Sequence, residues 1–344
     1  MTLHHRPTRL RALVATAWLT ACTTAQAQTN AADCVTLPRD ADRLACYDQV
    51  HGRVVPAATQ APAPPAKRAA PRSALSTRWD LDNADGAMFS PRAYRPVYIL
   101  PATWTDRVNR RPTSPTPGNS VGNDLELVVP ETKYQISLKA KLGDQLLGTP
   151  VSLWGGYTQS SRWQVYNGAA SRPFRETNYE PELMLVWPLQ TKLLGWQIRM
   201  ASVSLTHQSN GRSLPLSRSW NRVIGTVALE RDGWVAELRP WLRIRETPAD
   251  DDNPDIEDHI GRGELLLGRF WTSAWGDQAL TLQLRHSLRG GQRSRGSAQL
   301  DWVFPLKSAL HGYVQVFSGY GESLIDYNQA QTKVGIGVTI AGWR

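Results

Sequence analysis

The chain has 344 residues, 41% of them hydrophobic, with 14 Trp and 10 Tyr, and carries 39 Lys and Arg against 30 Asp and Glu for a formal net charge of +9. That length has room for one large domain and a small appendage. The positive charge forms no basic cluster interleaved with aromatic residues, which argues against a nucleic-acid groove and for surface and interior Arg scattered over a protein near anionic headgroups.

Residues 1–27 read as an export signal. Arg6, Arg9 and Arg11 precede the apolar run from Ala12 to Ala21, and Ala25-Gln-Ala27 supplies small residues at a cleavage site. Leu19-Thr-Ala-Cys22 also fits a lipoprotein signal, which would leave Cys22 lipidated. Residues 28–55 form a small periplasmic segment holding Cys34 and Cys46. The two are close enough to close a loop in an oxidising compartment, and the stretch lacks further ligands for a metal. Residues 56–91 are a Pro/Ala-rich linker and lead-in, extended or disordered over its Pro-rich part.

From residue 92 to 344 the pattern is short alternating strands and polar turns. Tyr134, Ile136, Leu138 and Ala140 alternate with Gln135, Ser137, Lys139 and Lys141, and Leu280, Leu282 and Leu284 alternate with Thr281, Gln283 and Arg285. Period two separates an apolar face from a polar one. After the first thirty residues no segment approaches the roughly eighteen apolar residues of a spanning helix. A membrane-embedded chain without such helices is a closed antiparallel β-barrel, since only closure pairs every backbone group. The Trp content suits aromatic girdles at the two interfaces, although composition alone also admits a soluble Trp-rich sandwich. About 250 residues at roughly 20 per strand and turn give about twelve strands. The last strand, Val334–Ile340, is followed by Trp343 and Arg344, so the aromatic end expected of such a barrel carries one trailing residue.

One predicted hairpin places chemistry on the apolar face. Val203, Leu205, His207 and Ser209 share a parity, and so do Asn221, Val223, Gly225, Val227 and Leu229. A turn near Leu214 sets Asn221 opposite His207, at the roughly 5 Å spacing a side-chain hydrogen bond can bridge. Ser209 is then a nucleophile, His207 its general base and Asn221 the group that orients the imidazole. A neutral orienter suits a site facing hydrocarbon, where an unpaired anion is costly. The N–H of Gly211 is the candidate oxyanion donor. Taken alone, a His-x-Ser in a strand is more often accidental, and Asn221 could be a strand-end amide bonded to backbone. Gln208, between base and nucleophile, is expected to face the interior and to tolerate substitution.

The run His207–Val223, with Pro173–Pro181, Asp251–Ile256 and Ser318–Asn328, resembles the outer-membrane phospholipase A family over the region from about Tyr94 onward. The resemblance implies a twelve-stranded transmembrane barrel in the bacterial outer membrane. It implies hydrolysis of acyl esters of membrane glycerophospholipids, of A1, A2 and lysophospholipase type, by His207, Ser209 and Asn221. It also implies Ca²⁺, held by Ser171, Arg212 through its carbonyl, Ser217 and Asp252, and a homodimer whose partner completes the metal site and an acyl groove. Without the resemblance, Asp250 to Asp252 would read as a solvated acidic turn. Two rival readings share the fold: a non-catalytic porin-like barrel, disfavoured by the intact His, Ser and Asn, and a lipase or esterase acting on other lipids.

Overall fold

The computed structural model describes residues 30–53, 73–83, 87–307 and 310–342. The expected export signal with Cys22, most of the Pro-rich linker and Trp343 lie outside the described residues. The chain divides into two units, Met1–Ala70 and Pro71–Arg344.

In the first unit, α1 (Ala31–Cys34) and α2 (Asp40–Val50) are joined by a disulfide between Cys34 and Cys46, whose Cα atoms are 5.5 Å apart. α2 buries none of its eleven residues. A helix that short is marginal in water, so a covalent staple takes the part a core would play. Asp40 and Asp42 in its first turn complement the positive helix end.

The second unit is a barrel. Its long strands are β2 (Val97–Thr105), β3 (Glu131–Gly143), β4 (Ser152–Trp163), β5 (Phe174–Leu193), β6 (Trp196–Ser209), β7 (Ser219–Arg231), β8 (Trp234–Ile244), β9 (Gly263–Ser273), β10 (Gly276–His286), β11 (Gly296–Lys307), β12 (Leu310–Gly319) and β13 (Gln331–Ala341); the two-residue β1 (Arg92–Ala93) adds to β3. Each long strand pairs antiparallel with the next, and β13 returns to β2, which closes a twelve-stranded barrel. No helix among the described residues is long and apolar enough to cross a membrane.

Side-chain parity divides the sheet as the sequence pattern requires. On β3, Ile136 and Leu138 are exposed on the outer surface, while Ser137, Lys139 and Lys141 are buried inside. The interior is a polar core rather than an apolar one. Glu322 accepts from Lys133 at 2.9 Å, Arg162 at 3.1 Å and Lys333 at 3.1 Å, and Arg95, Arg222, Arg239 and Arg285 pair with Glu180 and Glu264 lower in the lumen. Such pairs add little net stability, but removing one member strands the other's charge.

Trp use goes beyond the girdles expected from composition. Trp104, Trp234 and Trp275 are exposed near the barrel ends, yet Trp79, Trp154, Trp220 and Trp241 are buried. The buried group packs against interior cations, with Lys139 Nζ 2.9 Å from the Trp79 ring centroid and the Arg222 guanidinium 4.1 Å from that of Trp220. Trp79 belongs to α3 (Ala74–Trp79), which lies within the expected lead-in and packs Leu75 and Trp79 against Tyr94, Trp154 and Met184. Ser73 caps it by accepting from the Ser76 N–H at 3.0 Å, and the following Asp80 pairs with buried Lys141 at 2.7 Å.

One barrel end carries tight turns, at Leu194-Gly195 and Asp232-Gly233, where paired positive φ values match the strand twist. The other end carries the long loops: 106–130, 164–173, 210–218, 245–262 with α4 (Ile256–His259), 287–295 and 320–330.

The closing seam depends on one close approach. A Cβ on Gly337 of β13 would stand 2.0 Å from the Ile99 carbonyl oxygen and 2.8 Å from Leu100 Cα, where the β13–β2 register shifts. Neither contact is a flexible side chain, so Gly337→Val should cost about 3 kcal/mol, the upper end of ordinary overpacking. Gel mobility of boiled against unboiled protein checks this: the variant should lose the compact, heat-modifiable band.

Candidate active site

The site grows from the β6–β7 hairpin. His207 and Asn221 are direct register partners, as Leu205 is with Val223 and Ser209 with Ser219. His207 Nδ1 lies 2.8 Å from Asn221 Oδ1. An amide oxygen only accepts, so Nδ1 carries the proton and Nε2 keeps the lone pair a general base needs. Ser209 lies on the same face, two residues along and beside Tyr179 of β5 in register. Among the described residues no hydrogen bond joins its hydroxyl to His207.

That face is the outer one. Val203, Leu205 and Val223 are 47%, 54% and 37% exposed, whereas Ser202, Ser204 and Thr206 of opposite parity are 7%, 3% and 0% exposed. The polar pair therefore sits on the surface that meets lipid. Gln208 faces inward, as expected, but the expected tolerance to substitution does not follow. Its Oε1 accepts from the indole of fully buried Trp220 at 2.7 Å and its Nε2 donates to Glu180 at 3.2 Å. An apolar replacement would leave a buried N–H without its acceptor.

The hairpin loop is organised by Asn210, which the sequence reading missed. It is 3% exposed, accepts at Oδ1 from the N–H groups of Arg212 and Arg218, and donates from Nδ2 to the Leu216 carbonyl at 2.7 Å. Gly211 takes φ of +59°, and a Cβ there would meet Tyr179 Cε2 at 3.1 Å, so both conformation and space favour glycine. Its N–H meets no acceptor among the described residues.

Two of the four expected calcium ligands come together in this chain. Ser217 Oγ donates to Asp252 Oδ2 at 2.5 Å, and Asn119 Nδ2 donates to Asp252 Oδ1 at 2.9 Å. Asn119 is fully buried and its Oδ1 has no hydrogen-bond partner, an unspent acceptor on a side chain that touches Asp252. Arg212 lies in the same hairpin loop. Ser171 is exposed in loop 164–173 with φ of +59°, and no hydrogen bond joins it to Ser217 or Asp252. Every donor in the set is a hard oxygen and one is a carboxylate, which fits Ca²⁺. Among the described residues no group of three or more His, Cys, Asp and Glu is placed so that it could hold a metal ion.

Glu246 was also absent from the sequence reading. It lies just past β8, and its Oε1 accepts from Asn221 Nδ2 at 2.9 Å. Burial pushes its carboxyl up from the usual range, with Arg243 opposing.

The conspicuous sequence blocks outside the hairpin hold loops in place. Glu176 and Asn178 accept from the N–H groups of Ile325 and Leu324, and Tyr327 donates to Asp255 at 2.5 Å, which joins three of the blocks at the long-loop end. Hydrogen bonds from His259 and Tyr327 hold the Asp255 carboxyl below its usual range against the cost of burial.

Comparison with known proteins places this geometry. The family model described as Phospholipase A1 matches residues 75–340. Phospholipase A1 of Escherichia coli (strain K12) is 41% identical over 210 residues, covering 61% of this chain and 69% of that protein. Outer membrane phospholipase A from Escherichia coli superposes with a TM-score of 0.67 at 35% identity, over 78% of this chain and 98% of that one. The Salmonella typhi outer membrane phospholipase, a dimer with bound calcium, gives a TM-score of 0.65 at 35% identity, over 74% of this chain and 94% of that one. With a closed twelve-stranded barrel, a polar pair on its lipid face and a family match over most of its length, the chain belongs to the phospholipase A1 family and is an outer-membrane phospholipase.

Proposed function

We propose that this phospholipase works by a Ser-His-Asn mechanism and depends on calcium and on self-association. The observation that supports the first part best is the 2.8 Å bond between His207 and Asn221 on the lipid-facing surface. Ser209 Oγ attacks the ester carbonyl carbon of a glycerophospholipid while His207 Nε2 takes the hydroxyl proton. Asn221 keeps the imidazole in the productive tautomer as it becomes charged. The free N–H of Gly211 meets the oxyanion of the tetrahedral intermediate. Collapse breaks the acyl–oxygen bond, and the imidazolium returns its proton to the departing lysophospholipid alcohol. Water, deprotonated by the same imidazole, then releases the fatty acid and restores Ser209.

The calcium part rests on the oxygen set at the hairpin loop. Arg212 through its carbonyl, Ser217 and Asp252 would hold the ion from one barrel, and Ser171 of the partner subunit would complete the set. When bound, Ca²⁺ supplies positive charge that offsets the developing oxyanion. The related Salmonella typhi enzyme is a dimer with bound calcium, which supports the reading. An enzyme embedded in its own substrate needs an idle state, and a monomer with an incomplete set provides one.

Ser209→Ala should abolish phospholipid hydrolysis and leave the heat-modifiable fold intact, since no barrel hydrogen bond involves that hydroxyl. Asn221→Ala should lower turnover on the order of ten- to a hundred-fold, the rate equivalent of one charge-assisted hydrogen bond. Ester hydrolysis in detergent, measured beside gel mobility, checks both; turnover by the Ser209 variant would refute the nucleophile.

Metal and dimer should stabilise one another by linkage. Chelation is therefore expected to silence hydrolysis and reduce cross-linked dimer while the folded monomer persists. A calcium titration read for both quantities decides it, and a chelated monomer that hydrolyses at the calcium-saturated rate would overturn metal and dimer together.

A further inference from the structure

The three polar groups of the hairpin continue into a fourth. Asn221 of β7 is the register partner of Ile244 on β8, and two residues beyond Ile244 the chain reaches Glu246. Residues 242, 244 and 246 share a parity, and Leu242 and Ile244 are exposed on the lipid face. Glu246 thus stands on the outward parity where β8 leaves the barrel, and its Oε1 accepts from Asn221 Nδ2 at 2.9 Å. Ser209, His207, Asn221 and Glu246 form one row across β6, β7 and the end of β8.

A carboxylate at such a position is costly in two ways. A lipid-facing parity penalises charge, even if less near the interface than at mid-bilayer. Here Glu246 Oε2 is in addition buried with no hydrogen-bond partner. Arg243, two residues before Arg245, belongs to the inward parity and spends its guanidinium on Asp251 at 2.6 Å and on the carbonyls of Asn253 and Pro254. A half-buried carboxylate with one buried, unpaired oxygen calls for an explanation.

The amide of Asn221 supplies it. An Asn side chain is nearly symmetric in shape, and only one of its two orientations presents oxygen to His207 Nδ1–H. The other would set an N–H₂ against that N–H. An acceptor on the far side decides between them, because a carboxylate takes a bond from nitrogen and none from oxygen. We propose that Glu246 is a positioning residue for phospholipid hydrolysis, fixing the Asn221 amide so that its oxygen faces the imidazole. This inference rests on the Ser-His-Asn reading above. Glu246 itself meets neither substrate nor the reacting atoms; its effect passes through Asn221 alone.

The test is a mutant cycle on the full chain in detergent with calcium, read as kcat and KM on a phospholipid, with heat modifiability as the check on folding. Glu246→Ala should lower kcat about ten-fold, the equivalent of one net hydrogen bond, and leave KM unchanged. Glu246→Gln still offers an oxygen to Asn221 Nδ2 and should recover kcat to within about three-fold of the parent. In an Asn221→Ala background, Glu246→Ala should cost nothing further, since the group it positions is gone. A Glu246→Ala enzyme with parental kcat, beside an impaired Asn221→Ala enzyme, would overturn the inference and leave the triad standing. Equal loss in Glu246→Gln and Glu246→Ala would also overturn it, as would an undiminished loss in the Asn221→Ala background. An Asn221→Ala enzyme of parental activity would instead remove the triad reading on which the inference depends.

Discussion

Backbone hydrogen bonding in hydrocarbon is the constraint from which the rest follows. A strand inside a bilayer has no water to satisfy its N–H and C=O groups, so the sheet must close on itself. Here closure falls on the β13–β2 seam, where Gly337 passes over Ile99 and Leu100 too closely for any side chain. Once the ladder is closed, every residue is committed to one of two surfaces. A slip of one residue in β6 would carry His207 into the lumen and bring Gln208 to the lipid. The position of His207 and Asn221 on the lipid face is thus a consequence of register, and register is set by the apolar parity of Val203, Leu205, Val223 and their neighbours.

The same division explains the charge distribution. Apolar positions are used on the outside, so the inside is filled with long cationic and anionic side chains that satisfy one another around Glu322, Glu180 and Glu264. Loop 320–330 is held by this interior, since Glu322 bonds to Arg162, Lys133 and Lys333 while Ile325 and Leu324 hang from Glu176 and Asn178. Segments that stand out in the sequence, such as Pro173–Pro181 and Ser318–Asn328, hold the long-loop end together and position the hairpin loop only indirectly.

How much was legible in the sequence follows from range. The alternation in β3 and β10, the number of long strands and the opposition of His207 to Asn221 are local consequences of a period of two and one turn, and the structure has them as read. Cys34 and Cys46 are likewise near neighbours and are bonded. Contacts set by distant pairing were not legible. Asn119 reaches the Ser217 carbonyl from 98 residues away, and Glu246 reaches Asn221 only through the β7–β8 register, which no pattern in β8 announces. Gln208 shows the middle case: its face could be read, whereas its bond to Trp220, twelve residues on, could not. Four buried Trp residues were not separable from girdle Trp by composition, because a cation stacked on an indole leaves no trace in a hydrophobicity pattern.

A polar row on a lipid face also responds to whatever covers it. His207 is exposed on the bare barrel, where water competes for its ring nitrogens. Acyl chains, or the apolar surface of a second barrel, remove that water. The hydrogen bonds from His207 to Asn221 and from Asn221 to Glu246 then operate in a medium of lower dielectric, where a satisfied network strengthens and an unsatisfied one becomes more costly. The aliphatic neighbours Val203, Leu205 and Val223 are therefore more than a lipid anchor: they are the surface whose burial dries the site. Covering the face and drying the hydrogen bond between His207 and Asn221 are thus one physical event.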